Sequence, residues 1–238
     1  MIDKTLAKGF GLPEITIVTD CHITPEIAEQ CFDMIKDSEY LKLPISLEDV
    51  KNKFHAIPDF CFVFMHKDLN KPVGFYIILP FSDDAVLQYM NDEISFSSIR
   101  PSDLERPKEG ELYNLFFDTS VIYKQYRTSC MARLAFSILL NAVIEKARNN
   151  AYCNYVLVDQ FKESAQLTAE KMKLSYLKPH KYTNGLSGHI YGGVFNYKVY
   201  KNLPNYPTLE HAYNNKTANK ILAGGRDLWE VYKNKKNQ

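Results

Sequence analysis

The residues of this chain whose types and spacing suit chemistry gather between Glu111 and Asn150. Leu112 to Ile122 is an apolar, β-branched and aromatic run that reads as a buried strand. Asp118 stands inside it, at even spacing from Ile122 and so on that residue's face in a regular strand. A carboxylate there is costly unless it is paired or functional. The open alternative is an acid at a strand end or bulge, facing water. Glu111, where the strand begins, is a second acid to consider. A polar turn follows over Tyr123 to Ser129, and then the period changes. Met131, Leu134, Ala135, Ile138, Leu139, Ala142 and Val143 fall on one helical face. The first N–H groups of such a helix are aimed at the preceding loop, an arrangement suited to an anion. Thr128 and Ser129 add hydroxyls, and Arg127 and Arg133 add positive charge. The plain alternatives are a helix start that sees only water and a Thr128-Ser129 pair that is simply its cap.

The elements that must position these groups are legible around them. Ile15 to Thr19 is a first strand. Thr24-Pro25-Glu26 is a helix start, with Thr as N-cap, Pro at the first helical position and an acid in the first turn. Ser46 with Asp49 has capping-box spacing and opens a second, shorter helix. Phe60 to His66 and Val73 to Phe81 read as a hairpin across Asp68, Asn70 and Pro72. Residues 82–109 make a long connection, with a helical turn over Ala85 to Met90 and a loop from Pro101 to Gly110. After the central unit come a strand over Tyr155 to Val158 and a helix over Lys162 to Leu174. Two more strands, Tyr176 to Tyr182 and Ile190 to Tyr200, follow. Gly192-Gly193 suggests a bulge or a close backbone approach in the last of them.

Composition narrows the function. Hydrophobic residues make up 45% and charged residues 24%, which fits a soluble globule with a core. A net charge of +1 gives no electrostatic case for nucleic acid or a membrane surface. The tyrosine and lysine content near the C-terminus carries no RNA-binding signature. Cys21, Cys31, Cys61, Cys130 and Cys153 are scattered without CxxC spacing, as expected of reduced thiols in the cytoplasm. The histidines (His22, His55, His66, His180, His189, His211) show no metal-ligand spacing, so each reads as a surface or strand-end residue. Cys130 has no neighbouring histidine to make it a nucleophile. The first residues show no secretory pattern, and no stretch reaches membrane-spanning length.

The order β-α-α-β-β, a long insertion, then β-α-β-α-β-β resembles the GNAT superfamily of acyl-CoA-dependent N-acyltransferases. Its cofactor motif, V-D-P-E-Y-R-G-K-G-I-G, aligns with Ile122-Tyr123-Lys124-Gln125-Tyr126-Arg127-Thr128-Ser129-Cys130-Met131-Ala132. The Tyr-Arg pair and the following helix are kept, while Cys130 and Ala132 replace two glycines. The resemblance covers roughly residues 15–200. It implies an α/β fold with a mixed, mostly antiparallel sheet flanked by helices. The GNAT-like domain spans 1–202, with 82–109 as an insertion, and 203–238 is a helical C-terminal extension. It also implies acyl transfer, from acetyl-CoA or another acyl-CoA to an amine acceptor by direct attack, with no metal. Val121, Ile122, Arg127, Thr128, Ser129, Cys130, Met131 and Ala132 would bind the cofactor, with backbone near Phe117 to Ile122 pairing with the pantetheine arm. Ser164 falls where the family has a cofactor-binding Asn, and Lys171 where it has a tyrosine acid, which leaves the general acid unassigned. Asp118, then Glu111, fits the general base, which must take a proton from an ammonium directly or through water. The competing reading is a GNAT-like module that has lost catalysis and binds CoA or a protein partner. A third is an α/β protein that uses the same helix start for another phosphate. A homodimer through the final strand is a further expectation; nucleic-acid and membrane partners are not expected.

Overall fold

The computed structural model describes residues 6–19, 22–38, 45–95, 98–171, 174–182, 185–195 and 222–224. The chain opens with α1 (Leu6–Gly9), β1 (Ile15–Thr19), α2 (Pro25–Lys36) and α3 (Leu47–Ala56). It continues with β2 (Cys61–His66), β3 (Lys71–Phe81), α4 (Asp83–Met90), β4 (Leu112–Ile122) and α5 (Ser129–Arg148). Then come β5 (Tyr152–Gln160), α6 (Glu163–Lys171), β6 (Ser175–Lys181), β7 (Ser187–Phe195) and β8 (Leu222–Gly224). The strands pair in the order β1-β2-β3-β4-β5-β7-β6, with β8 also on β7. The register of β4 with β5 is parallel; those of β1–β2, β2–β3, β5–β7, β6–β7 and β7–β8 are antiparallel. The mixed, mostly antiparallel sheet expected from the sequence is present. No helix among the described residues is long and apolar enough to cross a membrane.

The chain divides into two compact units. The first gathers Met1–Ile78 with Asp118–Ala142. Its helices start where local chemistry demands. Thr24 accepts from the Ile27 N–H and Pro25 takes the first helical position, so α2 presents Ala28, Cys31, Met34 and Ile35 to the core at helical spacing. Ser46 and Asp49 close a reciprocal capping box (Asp49 N–H to Ser46 Oγ, 3.0 Å; Ser46 N–H to Asp49 Oδ2, 2.9 Å). α3 then buries Val50 and Phe54, the latter edge-on to Phe75 at 6.1 Å. Gly74 lets β3 approach β4 closely: a Cβ there would stand 3.0 Å from Ile122 Cγ1 and 3.1 Å from the Val121 carbonyl.

The second unit takes Leu79–Phe117 and the chain from Val143 through β7. Ser82 caps α4, whose Ala85, Val86, Tyr89 and Met90 are buried. Buried Asn114 donates to Asp83 Oδ1 at 2.9 Å, tying the start of α4 to β4. Phe81 stacks on Phe116 with centroids 4.8 Å apart. The parallel β4–β5 register runs from Leu112↔Tyr152 to Phe117↔Val158.

Several expectations change. The 82–109 connection holds a full α4, a 3-10 turn at Pro101–Asp103 and a bridge between Phe81 and Leu104, so it is less of a loop than its composition suggests. β7 pairs in unbroken register with β5 through Gly192 and Gly193, and the irregularity lies in β6 between Tyr176 and Lys178. β5 lies on one side of β7, while β6 and β8 follow one another along the other. Leu222–Gly224 form a strand where a helical extension was expected, and the rest of 203–238 lies outside the described residues. Cys21 and His211 lie outside them too. Substituting Gly74→Val forces the crowded β3–β4 contact apart, and urea denaturation should show a loss of about 1–3 kcal/mol.

Candidate functional site

The strand–loop–helix unit of the first domain half is built by short-range contacts. Tyr123 N–H donates to the Val73 carbonyl at 2.9 Å, anchoring the end of β4 to β3. A 3-10 turn over Lys124–Tyr126 follows. Arg127 then folds back, its Nε donating to the Ile122 carbonyl at 2.8 Å, which fixes the loop and leaves its terminal nitrogens outward. Thr128 is the cap of α5: its Oγ1 accepts from Met131 N–H at 3.1 Å and its carbonyl from Ala132 N–H at 3.1 Å. The capping alternative therefore holds, and it sharpens the anion question. Met131 is buried and its amide is engaged, and the Ala132 amide is engaged as well. Helix geometry leaves the Ser129 and Cys130 N–H groups without an intrahelical acceptor. The Thr128 hydroxyl still has its own proton to donate. Arg133 is exposed and lies 5.9 Å from the Phe10 ring.

Asp118 is in the same unit, and its side chain is fully buried. It does not face water. Lys53 Nζ, from the last turn of α3, donates to Oδ1 at 2.8 Å and Oδ2 at 3.0 Å, and Thr119 Oγ1 donates to Oδ2 at 2.9 Å. Burial raises the carboxyl's proton affinity; Lys53 and Thr119 oppose that, and Asp49 adds to it. A carboxylate with raised affinity is suited to take a proton near neutrality, yet it must first yield Lys53. Lys53 is the partner that sequence reading missed, because it stands 65 residues away with no local signal. Tyr76 was also missed: half-buried beside Ser120, its hydroxyl is pushed up by desolvation and stays protonated.

Glu111 and Ser164 belong to the second unit. Glu111 is half exposed and lies 3.6 Å from Lys108, a surface pair of little energetic weight. Ser164 is the second residue of α6 and Lys171 its last. No cluster of three or more His, Cys, Asp or Glu side chains that could hold a metal occurs among the described residues. Cys31, Cys61, Cys130 and Cys153 are free thiols, and burial pushes Cys31 and Cys153 up, away from reactivity.

No protein family and no curated protein matches the sequence. Solved structures do match. A polyamine N-acetyltransferase of Drosophila melanogaster is 10% identical over 75% of this chain and 98% of its own, with a TM-score of 0.48. A GNAT-family acetyltransferase of Bacillus anthracis is 13% identical over 75% and 93%, with a TM-score of 0.44. An agmatine N-acetyltransferase is 11% identical over 76% of this chain and 99% of its own, with a TM-score of 0.50. The chain has the GNAT fold. At such identity the fold is what is shared; in this chain residues 123–128 join β4 to α5.

The Lys53–Asp118 pair gives a direct test. Lys53→Met leaves an uncompensated buried carboxylate and should cost about 3–5 kcal/mol, whereas pairing it with Asp118→Leu should recover most of that loss. Because burial holds the folded-state affinity of Asp118 above that of the unfolded chain, its contribution is fully present at low pH and is lost as pH rises through the folded value. Urea melts of Lys53→Met should therefore show stability falling as pH rises out of the carboxylate range, more steeply than in the unaltered protein.

Proposed function

We propose that the protein transfers an acyl group, acetyl in the simplest case, from acyl-CoA to an amine. The observation that carries this reading is the β4–α5 junction. Arg127 donates through Nε to the Ile122 carbonyl, Thr128 caps α5, and the Ser129 and Cys130 amides have no intrahelical acceptor. Backbone N–H groups, a hydroxyl and a fixed cation are the donor set a diphosphate requires. The side chains at positions 130 and 132 are small, so this backbone remains approachable where the family has glycine. β4 runs on past Phe117, its last residue in register with β5, and backbone groups from Asp118 to Ile122 are the ones proposed to meet the pantetheine arm.

In the transfer, the amine nitrogen attacks the thioester carbonyl, the C–N bond forms and the C–S bond breaks. The ammonium must lose a proton beforehand. Asp118 is the carboxylate that this unit offers for that step, in exchange with Lys53; Glu111 is a half-exposed acid of the second unit, beside Lys108. The likeness in fold to an agmatine N-acetyltransferase supports an amine acceptor. The rival, a module that binds CoA without turnover, draws on the two missing glycines.

Calorimetry separates these readings. CoA and acetyl-CoA should bind saturably, and Arg127→Glu should weaken both by about tenfold to a hundredfold, the worth of one charge-assisted contact. Absence of binding at millimolar CoA would remove the acyltransferase assignment; binding with no turnover across an amine panel would favour the rival.

A further inference from the structure

The carboxylate offered to an incoming amine already holds a primary amine. Lys53 Nζ donates to Asp118 Oδ1 at 2.8 Å and to Oδ2 at 3.0 Å. Both residues lie in the first unit, as do the end of β4, the loop after it and the start of α5. The aspartate side chain is 0% exposed and the lysine side chain 11%, so the ammonium is the wetter end of the pair. Lys53 comes from the last turn of α3, and the capping box and buried Phe54 fix the helix that carries it.

Other pairs among the described residues differ in the one property that matters, the solvation of the acid. Lys36 meets Asp33 at 3.0 Å, with side chains 52% and 66% exposed. In the second unit Lys178 Nζ holds Asp92 Oδ2 at 2.6 Å, and that aspartate is 56% exposed and follows α4 at φ +60°. Water stabilises both of those carboxylates. The second unit also has a buried carboxylate, Asp159, whose Oδ2 has Tyr89 O–H at 2.6 Å and His180 Nδ1 at 2.5 Å. Neither a phenol nor an imidazole forms the lasting amide that a lysine forms. Lys53 alone of these combines a primary amine with an acid stripped of water. Desolvation works against both charges of a buried ion pair, and moving one proton across the contact removes both.

The acyl group would also arrive on this side. The diphosphate donors proposed above stand past Ile122, and Asp118 lies four residues back along β4, about 13 Å in an extended strand. An arm that pairs with β4 from the loop end carries its thioester toward Asp118. We propose that Lys53 is an acylation site of this protein, its Nζ taking the acyl group from acyl-CoA while Asp118 receives the first proton. This assignment rests on the acyl-transfer reading above and adds a modification that needs no external acceptor. The deprotonated Nζ attacks the thioester carbonyl carbon, the C–N bond forms and the C–S bond breaks. The second nitrogen proton leaves with the sulfur as the thiol. Lys53 becomes a neutral amide, and Asp118 keeps the proton it received, so no unpaired charge is left inside.

The test incubates the full chain with acetyl-CoA and no added amine, and follows acetylation residue by residue by peptide mass spectrometry. Lys53 should react about a hundredfold faster than Lys36 or Lys178, the range of a positioned base. Asp118→Asn should bring Lys53 down to their rate. Lys53→Arg, which keeps a cation against Asp118, should still bind CoA in calorimetry and show no fast position. Without any transfer, CoA should shield Lys53 from acetic anhydride. Binding of CoA with Lys53 acetylated no faster than Lys36 overturns the proposal and leaves transfer to another amine standing. Equal acetylation of Lys53 in the urea-unfolded chain, or no shielding by bound CoA, overturns it as well. If CoA does not bind at millimolar concentration, the acyl-CoA reading fails and the Lys53 assignment falls with it. These outcomes are read on the unaltered sequence, so they hold even if Asp118→Asn fails to fold.

Discussion

A charge buried in the middle of β4 sets the terms for the first unit. Asp118 follows the apolar and aromatic run Leu115–Phe117 of β4, and its carboxylate has lost its water. Desolvating two opposite charges costs several kcal/mol, which their attraction roughly recovers only in good geometry. Lys53 meets both oxygens and Thr119 a third time, so the requirement is satisfied. Such a pair adds little net stability, but it allows few alternatives. α3 must begin at Ser46 and run far enough to deliver Lys53 from its last turn, which gives the capping box a role beyond ending the helix neatly.

Downstream of Asp118 the same strand delivers the loop, and here hydrogen-bond bookkeeping decides what is available. A helix start offers several amides in principle. Capping by Thr128 engages one and the first helical bond another, which leaves the Ser129 and Cys130 amides without an acceptor in the helix. The position-132 amide is directed into the helix, whereas Cys130 keeps a small side chain beside an amide that remains unengaged within the helix.

What could be read from the sequence follows physical range. Thr24-Pro25 and Ser46 with Asp49 act over three or four residues, and both helices begin where those residues say. β4 and α5 declare themselves by a change of period. The GNAT order emerges from the same local signals. Lys53 meets Asp118 across 65 residues, Tyr89 meets Asp159 across 70 and His180 meets Asp159 across 21, and nothing in the spacing of those residues announces them. The Gly192-Gly193 pair left a bulge and a close backbone approach both open, and register with β5 runs unbroken through it. Glycine in a strand signals a bulge only when no neighbour needs the room, and here strands flank β7 on both sides.

Asp92 illustrates a trade-off between backbone comfort and a side-chain contact. A residue at φ +60° following a helix is the position where glycine relaxes the backbone most cheaply, and an aspartate there forgoes on the order of 1 kcal/mol. Replacing it by glycine would make the end of α4 more comfortable and remove the carboxylate that Lys178 of β6 holds at 2.6 Å. A screen for heat resistance would thus weigh a relaxed turn against a lost tie between α4 and β6.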